Sequence, residues 1–194
     1  MSLTRLLHEV RACQVCAAHL PFGARPVLQL ASAARLLIVG QAPGSKVHQS
    51  GVPWSDASGE RLRDWLQIDR SIFYDKAHVA ILPIGFCYPG AGENRGDLPP
   101  RPECAPRWHE KLLEHLPRLA VTILVGQYAQ RYYLGSRRMA SMTDTVRAHS
   151  AYGPQFFPLP HPSWRSVTWM RRHEWFERLV IPELRRVVRH AIRE

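Results

Sequence analysis

The stretch that decides the fold spans residues 36–44 and reads Leu-Leu-Ile-Val-Gly-Gln-Ala-Pro-Gly. Its first four residues are apolar, and small or polar residues bound them on both sides. A run this short, apolar on both faces, is typical of a buried parallel strand. The loop at the carboxyl end of such a strand often binds ligands, and glycine lets a ligand approach the backbone closely. The stretch therefore predicts a buried strand followed by a ligand-binding turn or by an ordinary strand-to-helix turn.

Three more apolar runs follow along the chain, at residues 78–82, 121–125 and 156–159, and segments with helical periodicity separate them. Strands that alternate with helices indicate βαβ units and a parallel sheet. We expect an α/β fold, a three-layer α/β/α sandwich around a four-stranded parallel sheet. The length of 194 residues predicts a single domain over residues 1–194.

Helix ends and loops can also be predicted. Thr4 and Ser58 are candidate helix caps, residues 45–57 are predicted to form a loop, and residues 169–193 to form one long final helix. The loops after the first and fourth strands, residues 40–44 and 161–165, should open on the same edge of the sheet. Gln41 and His161 are therefore expected near one cleft.

The chain is strongly basic, with 26 Lys and Arg against 16 Asp and Glu, and a formal charge of +10. Only three of the basic residues are lysine, and arginine suits bidentate contact with phosphate. This balance favours a nucleic-acid partner over a merely solvated basic surface. No run of about 18 apolar residues occurs, and the N-terminal residues lack the apolar region of a signal peptide. We expect a cytoplasmic protein with no membrane partner.

The chain contains four cysteines, Cys13, Cys16, Cys87 and Cys104. In a reducing cytoplasm, cysteines are more often metal ligands than disulfides. Four thiolates can hold an iron–sulfur cluster or a zinc ion. A redox-active dithiol at Cys13-x-x-Cys16 is the alternative for the first pair.

Together these features resemble the uracil-DNA glycosylase superfamily, most closely its iron–sulfur-containing, thermophile-type branch (family 4-like). Residues 40–44, Gly-Gln-Ala-Pro-Gly, are similar to the first motif, which in that branch is usually Gly-Glu-Ala-Pro-Gly. His161-Pro162-Ser163 is similar to the last motif. The four cysteines resemble the branch's cluster ligands in spacing and in their placement relative to the motifs. The resemblance covers about residues 10 to 165.

The resemblance implies a DNA N-glycosylase that hydrolyses the bond between deoxyribose and uracil, or another deaminated base, in base excision repair. His161 would donate a hydrogen bond to the departing base. Gln41 would orient the attacking water or bind the base through its amide. Apart from the resemblance, Asp56 is the nearest carboxylate and the alternative base for the water. Trp54, in a segment similar to the family's Gly-Arg-Pro-Phe, would stack on the base. The other implied residues are Gly40, Ala42 and Ser163 in the base pocket and Trp164 and Arg165 at the DNA face.

The implied cofactor is a 4Fe-4S cluster on Cys13, Cys16, Cys87 and Cys104, with structural zinc as the alternative. The implied partner is DNA that contains a damaged base, bound by a monomer. Three of these residues also have a structural alternative. His161 is then a packed histidine, Trp54 covers the core, and Asp56 caps a helix.

Two positions depart from the family's pattern. Gln41 stands where the branch has glutamate, and glutamine cannot act as a base. Pro83 stands where the branch has an asparagine that reads the base edge, and Asn94 is a possible substitute. The departures keep a second reading open, a superfamily member that binds a nucleic acid or a nucleobase without cleaving it. The third possible function is that of a redox protein built on the cysteines.

Overall fold

A computed structural model describes residues 1–92 and 96–193, and for Arg165 it describes the backbone. Its centre is a sheet of four parallel strands in the order β2-β1-β3-β4. The strands are β1 (Leu36–Val39), β2 (Val79–Ile81), β3 (Val121–Val125) and β4 (Phe156–Leu159). Every strand residue is buried, as expected of a parallel sheet with both faces covered. The predicted bounds of β1, β3 and β4 are confirmed, and β2 is shorter than predicted.

Nine α-helices occur within the described residues. They are α1 (Leu3–Arg11), α2 (Ser45–Ser50), α3 (Ala57–Leu66), α4 (Arg70–Tyr74), α5 (Cys104–Leu113), α6 (Gln127–Leu134), α7 (Met142–Arg147), α8 (Arg165–Arg172) and α9 (Ile181–Arg193). No helix in this part of the chain is both long and apolar enough to cross a membrane.

Alternate residues of β1 point into two separate hydrophobic clusters. Leu36 and Ile38 pack on one face with residues of α3, α4 and α9. Leu37 and Val39 pack on the other face with residues of α1, α5 and α6. Because side chains alternate between the faces of a strand, this division confirms the three-layer α/β/α sandwich.

The two predicted helix caps and one predicted loop are wrong. Ser2, and not Thr4, caps α1, because its side chain accepts a hydrogen bond from the Arg5 amide. Asp56 takes the cap position predicted for Ser58, two residues earlier, with its Oδ1 accepting from the Gly59 amide at 2.9 Å. The predicted loop over residues 45–57 contains α2, a short helix that its serine, glycine and proline content concealed.

The final helix is also not one continuous helix from residue 169. It is split into α8, a π-helical turn over Phe176–Val180, and α9. Pro182 is the second residue after the π turn and lacks the amide hydrogen that a regular helix would use. The wider turn before it therefore accommodates the proline at the start of α9.

Candidate active site

A cavity of about 210 Å³ opens at the carboxyl ends of β1 and β4. Eight of the predicted site residues line it: Gly40, Gln41, Ala42, Trp54, Asp56, His161, Ser163 and Trp164. The prediction that Gln41 and His161 share one cleft is confirmed. The volume suits a single planar ring system, with titratable groups on its walls.

The Trp54 ring lies against the backbone of the first motif. A Cβ at Gly40 would lie 2.8 Å from the ring, so only glycine leaves room for the indole there. Trp54 has a φ of 55°, an uncommon conformation for a residue with a side chain. Its carbonyl oxygen accepts hydrogen bonds from the Tyr74 hydroxyl at 3.2 Å and from Arg63 at 3.3 Å. These bonds hold the ring in the cavity wall, where it also packs on the core.

His161 follows β4 and lies beside Trp54, with ring centroids 5.7 Å apart and an angle of 33° between the planes. Burial lowers the pKa of His161, and the negative charge of Asp56 partly opposes that shift by raising it. The imidazole is therefore neutral at neutral pH, and one ring nitrogen carries a hydrogen that can be donated.

The loop that carries His161 is anchored by α3. Arg61 donates hydrogen bonds from Nη1 to the carbonyl oxygens of Pro162 and Ser163, both at 2.9 Å. The amide of Ser163 donates to the carbonyl of His161 at 2.9 Å. Sequence reasoning missed Arg61, because nothing in the helix pattern of α3 indicates that this arginine reaches a distant loop.

Asp56 has two connections to the cavity. One carboxylate oxygen caps α3, which confirms the capping alternative, and the side chain also lines the cavity. Its negative charge raises the pKa of His161 and also the pKa of Asp97. Asp56 thus holds the start of α3 and also forms part of the cavity wall.

Asp97 is a second carboxylate that sequence reasoning missed. It lines the same cavity near Gly44, and partial burial, followed by the charge of Asp56, raises its pKa. Backbone pairing fixes its position, because Asp97 pairs with Ala91 and the next amide, that of Leu98, donates to Gly90 at 2.9 Å. An isolated aspartate in a long Gly- and Pro-rich loop gives no sequence signal of this placement.

The side chain of Gln41 is hydrogen-bonded to that same loop. Its Nε2 donates a hydrogen bond to the carbonyl oxygen of Leu98 at 3.3 Å. The amide of Gly85 donates to the backbone carbonyl of Gln41 at 2.9 Å. The side chain therefore joins the first motif to the segment that carries Asp97.

A family model for the uracil DNA glycosylase superfamily matches residues 29–185, which is more than half of the chain. The chain belongs to the uracil DNA glycosylase superfamily. The match includes the first motif, both carboxylates and His161. Cys13 and Cys16 precede it.

Superfamily members act on DNA, and Trp164 lies where the cavity meets solvent. Its side chain is 73% exposed and also contributes to the cavity lining. Arg165 begins α8, and its side chain lies outside the described residues. The predicted alternative reader Asn94 lies outside them as well.

Pro83, one of the two positions that depart from the expected pattern, forms part of the cavity wall. Its carbonyl oxygen accepts a hydrogen bond from Nε2 of the buried His109 at 3.0 Å. The other ring nitrogen of His109 is 2.7 Å from the Tyr133 hydroxyl, and its ring stacks on Phe86. Burial lowers the pKa of His109 to about 4, so a neutral histidine supports this wall from behind.

The four cysteines of this superfamily member line one narrow cavity between the N-terminal segment and α5. Cys104 Sγ accepts a hydrogen bond from the Phe86 amide at 3.3 Å. Burial raises the pKa of Cys87 to about 11 and that of Cys104 to about 12, and the charges of the other cysteines add to both shifts.

These thiols have the chemistry of a metal site. Four sulfur donors around one cavity match the ligand set of an iron–sulfur cluster or of zinc. Repulsion between neighbouring thiolates is what a bound cation would relieve. In the described part of the chain, no three His, Cys, Asp or Glu side chains are already gathered at one point.

Proposed function

We propose that this superfamily member is a DNA N-glycosylase that releases uracil or another deaminated base from DNA. The observation that carries the proposal is the convergence of Trp54, Asp56 and His161 on one cavity at the sheet edge. An aromatic face can stack on a flipped base, a carboxylate can accept a proton from water, and a neutral histidine can donate a hydrogen bond to the departing base. Extrusion of the base from the helix costs a few kcal/mol, which contacts in the cavity must offset.

His161 would act on the departing base. When the bond between C1′ and the base nitrogen breaks, the base leaves with the electron pair and becomes an anion. A hydrogen bond from the neutral imidazole to the base carbonyl stabilises that charge as it develops. Trp54 is positioned to stack on the same base, because its ring packs beside His161 in the cavity wall.

Asp56 would act on the sugar and the water. As the base leaves, the sugar develops oxocarbenium character, which a nearby carboxylate stabilises. Water then forms a bond to C1′ and its proton passes to the carboxylate. We assign this role to Asp56, because its charge reaches His161 while its helix-capping bond fixes its geometry. Asp97 supplies a second negative charge, and Gln41 positions the segment that carries it.

The remaining predicted residues would bind the base or the surrounding DNA. Gly40, Ala42 and Ser163 line the cavity. Gly40 and Ala42 would form the backbone floor below the base, and Ser163 would lie beside it. Trp164 and Arg165 would contact DNA at the mouth, where the exposed indole can fill the space that the flipped base leaves.

We further propose a 4Fe-4S cluster on Cys13, Cys16, Cys87 and Cys104, with zinc as the alternative. The cluster would supply a structural clamp and no hydrolytic chemistry. The four thiols line one cavity and come from the N-terminal segment, the loop after β2 and the start of α5. Binding would tie these three segments together.

The test is incubation with labelled DNA that contains uracil, hypoxanthine or xanthine, in single- and double-stranded form, followed by alkaline cleavage of abasic sites. We expect cleavage of at least one substrate. We also expect His161→Ala to lower the rate of that cleavage about 100-fold. DNA binding without cleavage of any substrate would overturn the enzyme and indicate a superfamily member that only binds.

A further inference from the structure

Phe22 is an aromatic side chain presented at the tip of a turn. The turn covers residues 20–23 and is closed by a hydrogen bond from the Gly23 amide to the Leu20 carbonyl at 3.0 Å. Gly23 has a φ of +78°, which glycine adopts without strain. The Phe22 side chain is 64% exposed, although burial would normally be favoured for a side chain of this size.

Phe22 belongs to a cluster of three rings. It stacks on the buried Tyr88, with centroids 5.6 Å apart and planes 19° apart, and it also contacts the ring of His48. His48 and Tyr88 contact each other. One face of Phe22 is therefore supported from within the protein, and the ring is held in place before any ligand arrives.

The cluster borders the cavity of the proposed active site. His48 lies on α2, and Gly44 and Val47 at the start of that helix line the cavity. On the other side of the cluster, the charge of Asp97, which lines the cavity, acts on Tyr88. Phe22 is thus connected through His48 and Tyr88 to segments that line the cavity.

The stretch of sequence that supplies Phe22 and His48 has an excess of positive charge. Residues 10–55 contain no Asp or Glu, and they contain Arg11, Arg25, Arg35 and Lys46, of which Arg25 contacts the chain at His48. The exposed Arg25 is fixed beside the rings, because its Nη1 donates to the carbonyl oxygens of His48 and Gln49. A firmly held guanidinium beside a supported aromatic face complements a phosphate next to a base.

We propose that Phe22 stacks on an unpaired base adjacent to the extruded nucleotide and thereby favours single-stranded over duplex DNA. The inference rests on the proposed function for the identity of the extruded nucleotide. In a duplex, both faces of a base are covered by its neighbours, so an aromatic ring outside the helix has no face to contact. In a single strand, the face is available, and base–aromatic stacking tolerates any sequence.

Fluorescence anisotropy with a labelled thymidine oligonucleotide of about 12 nucleotides tests the proposal. The oligonucleotide contains no damaged base, so binding is measured independently of cleavage. We expect Phe22→Ala to weaken single-strand binding about 10-fold and to leave duplex binding unchanged. Phe22→Trp should retain the affinity, whereas Phe22→Leu, which keeps apolar bulk without a π face, should resemble Phe22→Ala.

Tyr132→Ala is the matched control, because Tyr132 is also an exposed aromatic residue but lies on α6, which does not line the cavity. Thermal melting of each variant checks that it folds. Equal single-strand affinity of Phe22→Ala and the unmodified protein would overturn the proposal, as would an equal loss on duplex DNA or full retention by Phe22→Leu.

The cleavage assay separates this inference from the proposed function. Uracil release with no effect of Phe22→Ala on single-strand binding contradicts the stacking role alone. Single-strand binding that depends on Phe22, without release of any base, supports the stacking role and contradicts the glycosylase.

Discussion

The indole of Trp54 and the imidazole of His161 pack together in one wall of the cavity, with ring centroids 5.7 Å apart. One residue follows α2 and the other follows β4, so the fold alone brings them together. A base that stacks on the indole would present its edge to the imidazole. This pair therefore links the recognition of the base to the stabilisation of its departure.

Replacement of His161 tests that link. We expect His161→Ala to lower single-turnover cleavage about 100-fold, because it removes the donor to the developing anion. Binding of DNA should change little, since Trp54 and the first motif remain. His78→Ala is the control, because His78 pairs with Asp75 at the surface outside the cavity. An unchanged rate would remove His161 from the mechanism.

Asp56→Asn separates the two roles of Asp56. Asparagine caps a helix as well as aspartate does, so the melting temperature should stay close to that of the original protein. The cleavage rate should fall by two orders of magnitude, about the loss expected for removal of a general base. Asp56→Ala should in addition lower the free energy of unfolding by about 1 kcal/mol, through loss of the cap.

Gln41→Ala provides the comparison for water activation. Because the Gln41 amide is bound to Leu98, its removal should lower the rate less than Asp56→Asn does. A larger loss with Gln41→Ala would transfer the handling of water from Asp56 to Gln41. Titration of the His161 imidazole by NMR gives an independent check that Asp56 acts on this histidine. Asp56→Asn removes a negative charge and should therefore lower the pKa of His161 further.

His109 predicts how stability depends on pH. Its folded-state pKa of about 4 is lower than the ordinary value of 6.5, so the unfolded chain binds the proton more tightly. Stability from this group is fully present above about pH 6.5 and is lost as the pH falls toward 4, by about 3 kcal/mol in total. Urea unfolding at pH 7 and at pH 4 measures the loss. His109→Gln should reduce the pH dependence, and an unaltered dependence would assign it to other groups.

The cysteine site predicts a coloured protein. Anaerobically purified protein should be brown, with broad visible absorption and about four irons per chain, as expected for a 4Fe-4S cluster. Cys87→Ser should lose both the colour and the iron, because it removes one of the four donors. A colourless protein with stoichiometric zinc would show that the site holds zinc and not an iron–sulfur cluster. Retention of the full iron content by Cys87→Ser would remove Cys87 from the ligand set.

The sheet could be predicted because each strand is a short apolar run bounded by glycine, proline or polar residues, and burial on both faces leaves little ambiguity. The first motif and His161 could be placed together because parallel strands end at a common edge. The start of α3 could not be located, because Asp56 and Ser58 are both good caps two residues apart and the sequence alone does not choose between them.

Other parts of the candidate site depend on long-range contacts that no local pattern encodes. Asp97 reaches the cavity through backbone pairing with Ala91 and through the bond from Gln41 to Leu98. Arg61 reaches the loop after β4 from α3. Such residues look like ordinary surface charges in the sequence, and their roles become visible only when the chain is folded.

The most direct test of the glycosylase is the amount of free base released from single-stranded DNA that contains one uracil, measured by mass spectrometry beside the number of abasic sites formed. We predict one free uracil for each abasic site, and a rate about 100-fold lower for His161→Ala. Intact uracil-DNA after prolonged incubation with folded, DNA-binding protein, with hypoxanthine- and xanthine-DNA also intact, would contradict it.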